Sequence, residues 1–135
     1  MKELLLWIRP LAVCLLLSLP VFSQDRAPDQ PFQTVHLTTS DEPGAEKGLI
    51  DTVRELNEVI TRSGCPKCIY HLYKAYGEPT GVVTFLWIAS WPDRATYERI
   101  HEAPAYNAAW ARHPELASVR QGEIYNRYVE VKTTR

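Results

Sequence analysis

The apolar positions change period several times along the chain, and each change marks an element. Residues 32–39 (FQTVHLTT) collect β-branched and aromatic side chains and predict a strand. Residues 40–44, with Pro43, form a turn. Across residues 46–62 the apolar side chains Leu49, Ile50, Val53, Leu56 and Ile60 recur at helical spacing on one face, with Val59 beside them. That predicts a helix, with Gly64 as its C-terminal cap. Two strand-like runs follow, residues 69–76 (IYHLYKAY) and 82–89 (VVTFLWIA), joined by a loop over 77–81 that holds two glycines. Pro92 and Asp93 open a helix, which Pro104 divides into 92–103 and 104–113. Residues 122–131 (GEIYNRYVEV) predict a last strand.

The order β-α-β-β-α-β is the ferredoxin-like plan, an α+β fold whose four-stranded antiparallel sheet carries two helices on one face. The strand at 82–89 adds a constraint. An antiparallel strand with one solvated face alternates apolar and polar residues, yet only Thr84 interrupts this one. Both of its faces must therefore be covered. The helices cover one, and a second copy of the chain is the simplest cover for the other, giving a homodimer with two sheets packed as a dimeric α/β barrel.

Residues 1–23 fall outside this plan. Lys2 and Arg9 give a basic start, softened by Glu3; residues 11–19 (LAVCLLLSL) are apolar but for Ser18; Pro20 then breaks the run before Val21-Phe22-Ser23. This is the pattern of a secretory signal peptide cut after Ser23, and it predicts a periplasmic or secreted protein. Arg9 and Pro10 leave an apolar stretch too short to span a bilayer, so no stable membrane insertion is expected after cleavage. Residues 24–31 (QDRAPDQP) read as a flexible linker, leaving 32–132 as the folded domain.

Composition narrows the function classes. The chain has 135 residues, enough for one domain. Lys plus Arg is 15 and Asp plus Glu is 16, so there is no basic excess for nucleic acid. A hydrophobic share of 45% against 23% charged is that of a globular protein. No Ser-His-Asp order, phosphate loop, EF-hand loop or suggestive carboxylate pair appears. Arg94, Glu98, Arg99 and Glu102 read as a solvated helix face with i, i+4 pairs.

Cys65-Pro-Lys-Cys68 is the most conspicuous local motif. In an oxidising compartment it reads as a disulfide fastening the helix-to-strand turn. A redox-active pair is a second reading, but it follows a helix and so lacks the helix N-terminus that activates such thiols. Metal binding by Cys65, Cys68 and His71 is a third, and no second Cys/His pair completes a tetrahedral site. No metal site is predicted. The motif lacks the directly following His of covalent haem attachment.

The stretch 32–131 resembles the dimeric α/β-barrel superfamily, which includes antibiotic-biosynthesis monooxygenases, haem-degrading monooxygenases and the NIPSNAP family. The similarity to NIPSNAP-like domains lies in residues 85–94 (FLWIASWPDR), a Trp-x-x-Ser-x-x-x-Arg strand-to-helix junction, and in Ala103-Pro104-Ala105-Tyr106. Ala103 stands where an acidic residue is usual. The resemblance implies a pocket between sheet and helices lined by His, Asn and aromatic residues. His71, Trp87, Tyr97, His101, Asn107 and Trp110 are the candidates here. The same aromatics serve equally as core, and a His on a mixed face as a hydrogen-bonded structural residue. His113 is accounted for by a helix dipole, and His36 is given no role. The expected function is an exported protein that binds a small-molecule ligand. A cofactor-independent or haem-linked monooxygenase is one alternative, although no specific motif supports haem. Thiol-disulfide exchange at Cys65 and Cys68 is the other.

Overall fold

The computed structural model describes residues 27–77 and 83–133. The predicted signal segment 1–23 and loop positions 78–81 lie outside the described residues. The elements run β1 (Phe32–Ser40), α1 (Ala45–Arg62), β2 (His71–Lys74), β3 (Val83–Trp91), α2 (Arg94–His101), α3 (Pro104–Ala111), α4 (Ala117–Gln121) and β4 (Ile124–Val129), with a 3-10 turn at Pro114–Leu116 before α4. The sheet is antiparallel in the order β2-β3-β1-β4, with the helices packed on one face. This is the ferredoxin-like α+β fold.

Several boundaries differ from the sequence expectation, each for a physical reason. β2 is shorter than 69–76 because a side chain takes its first pairing. Asn57 of α1 accepts from the Tyr70 N–H (2.7 Å) and donates to the Tyr70 carbonyl (2.9 Å). β3 is longer than 82–89 because β1 pairs with it as far as Phe32 opposite Trp91. Asp93 is the N-cap of α2, accepting from the Thr96 N–H at 2.7 Å. α4 had no clear periodic signal in five residues. Arg94 and Arg99 reach off α2 in place of the expected i, i+4 pairs along it: Arg94 pairs with Asp29, and Arg99 donates to the Ser63 carbonyl (2.8 Å). Ala27, inside the predicted linker, is buried in the core. His113 lies 3.6 Å from Glu55, an ion-pair neighbour that the helix-dipole reading did not include.

The pleat sorts the sheet into two faces. Phe85, Trp87, Ala89 and Trp91 of β3 and Phe32, Thr34, His36 and Thr38 of β1 point under the helices and are buried. The other face carries Val35, Leu37, Leu86 and Ile88, all partly buried, flanked by exposed Tyr73 and Ile124. The near-continuous apolar run of β3 thus supplies both faces.

α1 ends in a Schellman motif. Gly64, at φ 87°, donates to the Thr61 carbonyl (3.0 Å), and Cys65 donates to that of Ile60 (3.3 Å). Cys65 and Cys68 then form a disulfide, and Cys68 is buried against the core. With both sulfurs bonded to each other, neither is a thiolate ligand for a metal. Closing so short a loop is worth about 2 kcal/mol on the chain-entropy account. Replacing both cysteines by serine is expected to lower the calorimetric midpoint by roughly 10 °C. An unchanged midpoint would mean that the Schellman turn holds this corner without the bond.

Candidate functional site

One row of side chains crosses the inner face of the sheet: Leu72, Trp87, His36 and Tyr125, from β2, β3, β1 and β4. His36 is 8% exposed. Its ring centroid lies 4.3 Å from that of Trp87, 4.7 Å from Tyr125 and 5.6 Å from Tyr70. Glu123 stands in the turn before β4, where its N–H donates to the Arg120 carbonyl (3.1 Å). Its carboxylate accepts from His36 Nδ1 at 2.5 Å. That bond fixes the imidazole tautomer and leaves Nε2 on the far side of the ring.

A second, half-buried imidazole, His101, is carried by α2 and packs against α3. Tyr97 and His101 are one turn apart on α2, and their rings stack at 3.8 Å. Pro104 starts α3 and sets Tyr106 and Trp110 on one face, with ring centroids 6.4 Å apart. His101 Nδ1 donates to the Tyr97 carbonyl (2.8 Å). Its Nε2 is then an acceptor for the Tyr70 hydroxyl (3.3 Å), which in turn accepts from the Tyr106 hydroxyl (3.1 Å). Burial pushes His101 down to about 4 and Tyr106 up to about 12, and it raises Tyr70 well above the usual phenol range. All three are therefore neutral near pH 7.

The solvent side of this layer lies beneath β4. The hydroxyls of Tyr97 and Tyr125 are 3.1 Å apart. Arg127 donates to Tyr125 through Nε (2.9 Å), and its guanidinium carbon lies 5.3 Å from the Tyr97 ring and 5.4 Å from the Tyr125 ring. Tyr125 is 37% exposed, so these groups form a polar clasp over the aromatic interior.

Among the described residues, His36 Nε2, Thr38 Oγ1, Trp87 Nε1 and Arg120 Nε are buried with no hydrogen-bond partner. They are not scattered. His36 faces Trp87 across β1 and β3, and Thr38 is two positions along the same face of β1. Arg120 lies over the Trp110 ring at 4.2 Å, and that ring is 5.5 Å from Trp87.

Of the six residues named from sequence, Trp87, Tyr97, His101 and Trp110 come together in this layer. His71 does not: it pairs with Ile88 and lies exposed on the opposite face of the sheet. Asn107 is exposed on α3, where its amide reaches the His101 and Ala103 carbonyls at 3.4 Å. Sequence reasoning passed over His36, Tyr70, Glu123 and Tyr125. The alternation of β1 could have put His36 beside Phe32, Thr34 and Thr38. Glu123 and Tyr70 lie just before β4 and β2, with the parity of Tyr125 and Leu72 in the predicted strands.

His101 has both nitrogens engaged, whereas His36 keeps an unpartnered Nε2. A separate surface groove of about 740 Å³ runs along α1 and the start of β2, lined by Ile50, Val53, Asn57, Ile69 and Leu72 among others. The aromatic layer is not part of it.

No protein-family model matches the sequence, and no curated protein matches it. Solved structures do. An antibiotic biosynthesis monooxygenase superposes with a TM-score of 0.54 at 20% identity, covering 75% of this chain and 99% of its own. A dimeric ferredoxin-like protein of unknown function from Thermobifida fusca gives 0.54 at 15%, covering 76% and 92%. A cofactor-independent oxygenase from Streptomyces nogalater gives 0.52 at 12%, covering 77% and 96%. What this chain shares with these three proteins is the ferredoxin-like fold.

Proposed function

We propose that this chain is an exported, NIPSNAP-like homodimer that binds a small planar molecule in the aromatic layer beneath β4. The ligand reading rests on the partnerless polar atoms His36 Nε2, Trp87 Nε1 and Arg120 Nε beside these rings, with Thr38 Oγ1 two positions along β1. Buried polar groups are nearly always satisfied, and one left over costs about 1–3 kcal/mol. A ligand with matching groups recovers that cost. The surrounding aromatic rings favour an aromatic one.

The second copy is supported by the apolar outer face of the sheet, where Leu37 and Leu86 are flanked by Ile124, itself 57% exposed. The names of the similar structures include a dimeric protein. Export is supported by the pattern of residues 1–23 and by the disulfide. NIPSNAP character is supported by residues 85–94 and 103–106.

The test is a titration of the full chain with naphthol, following tryptophan emission. Saturable quenching is expected, and Trp110→Ala should weaken it about tenfold, or about 1.4 kcal/mol. Absence of saturable quenching up to the solubility limit of naphthol would overturn the reading. A second reading, cofactor-independent oxygenation of the ligand, has the burial of Trp87 at 1% exposure in its favour, since such chemistry needs water excluded. Uptake of dissolved oxygen in the presence of naphthol distinguishes it from binding alone.

A further inference from the structure

We propose that His36 and Glu123 form a proton-accepting dyad that takes phenols into the site as phenolates. The inference rests on the ligand reading above and adds the ligand's chemical class and its protonation state. Two imidazoles occupy the aromatic layer, and they differ in one respect. His101 has both nitrogens engaged, by the Tyr97 carbonyl and the Tyr70 hydroxyl. His36 has only Nδ1 engaged, by Glu123 at 2.5 Å, and its buried Nε2 has no partner. An imidazole oriented by a carboxylate on one nitrogen and open on the other is the arrangement that accepts a proton.

The other titratable groups around His36 do not compete for that proton. Tyr125 faces it from β4 and Tyr70 from the segment before β2, and burial raises both phenols, so each keeps its own proton. His101 on α2 is held neutral by burial, and Arg127 on β4 is cationic. Glu123 is the carboxylate in contact.

The step balances within the site. The O–H bond of the phenol breaks with its electron pair left on oxygen, and an N–H bond forms at His36 Nε2. The resulting imidazolium keeps its Nδ1–H on the Glu123 carboxylate. The phenolate stands beside a cation in low dielectric, where that attraction is strong. Trp87 Nε1–H and the Thr38 hydroxyl, partnerless on the same face, are donors available to its oxygen.

The probe is para-nitrophenol, whose phenolate is yellow and whose neutral form is not. It is added to the full chain well below its own solution pKa, with binding followed by tryptophan quenching and ionisation by the yellow band. The bound probe is expected to show an ionised-to-neutral ratio about tenfold above that of free probe. His36→Gln should abolish that excess while quenching persists, and Glu123→Gln should reduce it. Should His36→Gln fail to fold, Glu123→Gln and the wild-type spectrum still decide the matter. Probe bound in the neutral form, or still ionised in His36→Gln, overturns the dyad and leaves the ligand reading standing. Naphthol binding without nitrophenol binding also overturns it, because the dyad favours the more acidic phenol. Quenching by neither probe overturns both.

Discussion

Truncating Trp87 to alanine is expected to remove about 3–5 kcal/mol of folding stability, the cost of emptying a large aromatic site in a close-packed core. The position is extreme in three ways. Trp87 is 1% exposed on the central strand pair. Its ring meets His36 at 4.3 Å and both Tyr70 and Trp110 at 5.5 Å. These neighbours come from β1, the turn before β2, and α3, so no single element can relax into the space. A domain of this size holds only about 5–15 kcal/mol in total. Urea unfolding monitored by far-ultraviolet circular dichroism measures the loss. Trp87→Phe keeps most of the packing and should lose markedly less. A midpoint unchanged in Trp87→Ala would mean that the layer is not closed around this ring.

Stability is also expected to fall by about 3 kcal/mol between pH 7 and pH 4 on account of His101 alone. Burial lowers this imidazole from 6.5 to about 4 in the folded chain. The unfolded chain therefore binds a proton as pH drops through 6.5, while the folded chain does not until about 4. The contribution is complete above the unfolded value and is lost as pH falls across that window. Carboxylates held low by their partners add their own losses at more acid pH, as Asp93 does through the Thr96 N–H. Urea midpoints measured across the window for the wild type and His101→Gln separate the two. The variant should show a flatter slope between pH 6.5 and 4. Parallel slopes would remove His101 as the cause.

Both variants sit at positions named from the sequence; their neighbours were less visible there. The helical spacing of Leu49, Val53, Leu56 and Ile60 announced the face that α1 buries, and all four are buried, but Ile50, read on the same face, is 40% exposed. The apolar run of β3 announced a strand with apolar residues on both faces; its inner residues are among the most buried of the described residues, and Leu86 and Ile88 on the other face are partly buried. Gly64 and Asp93 marked helix ends by local chemistry. The site was legible in Trp87 on β3 and where helical spacing paired its members. Tyr97 with His101, and Tyr106 with Trp110, sit one turn apart. His71 misled because the pleat decides which face a strand residue occupies, and register with Ile88 sends it away from the helices.

Apart from α4, the elements and their order can be read from the sequence, because hydrophobic period, caps and turn residues act over a few positions and need no partner from afar. The polar connections of the site come from the fold. His36 and Glu123 stand 87 positions apart, and Tyr70 and Tyr106 are 36 apart. Nothing local distinguishes those residues from a solvated histidine, a surface glutamate or two core tyrosines. They become a hydrogen-bonded layer only when antiparallel pairing of β1 with both β3 and β4 sets Trp87, His36 and Tyr125 in one row and the helices close over it. Burial then shifts the proton affinities, since low dielectric around a side chain is a property of its packing and not of its neighbours in sequence.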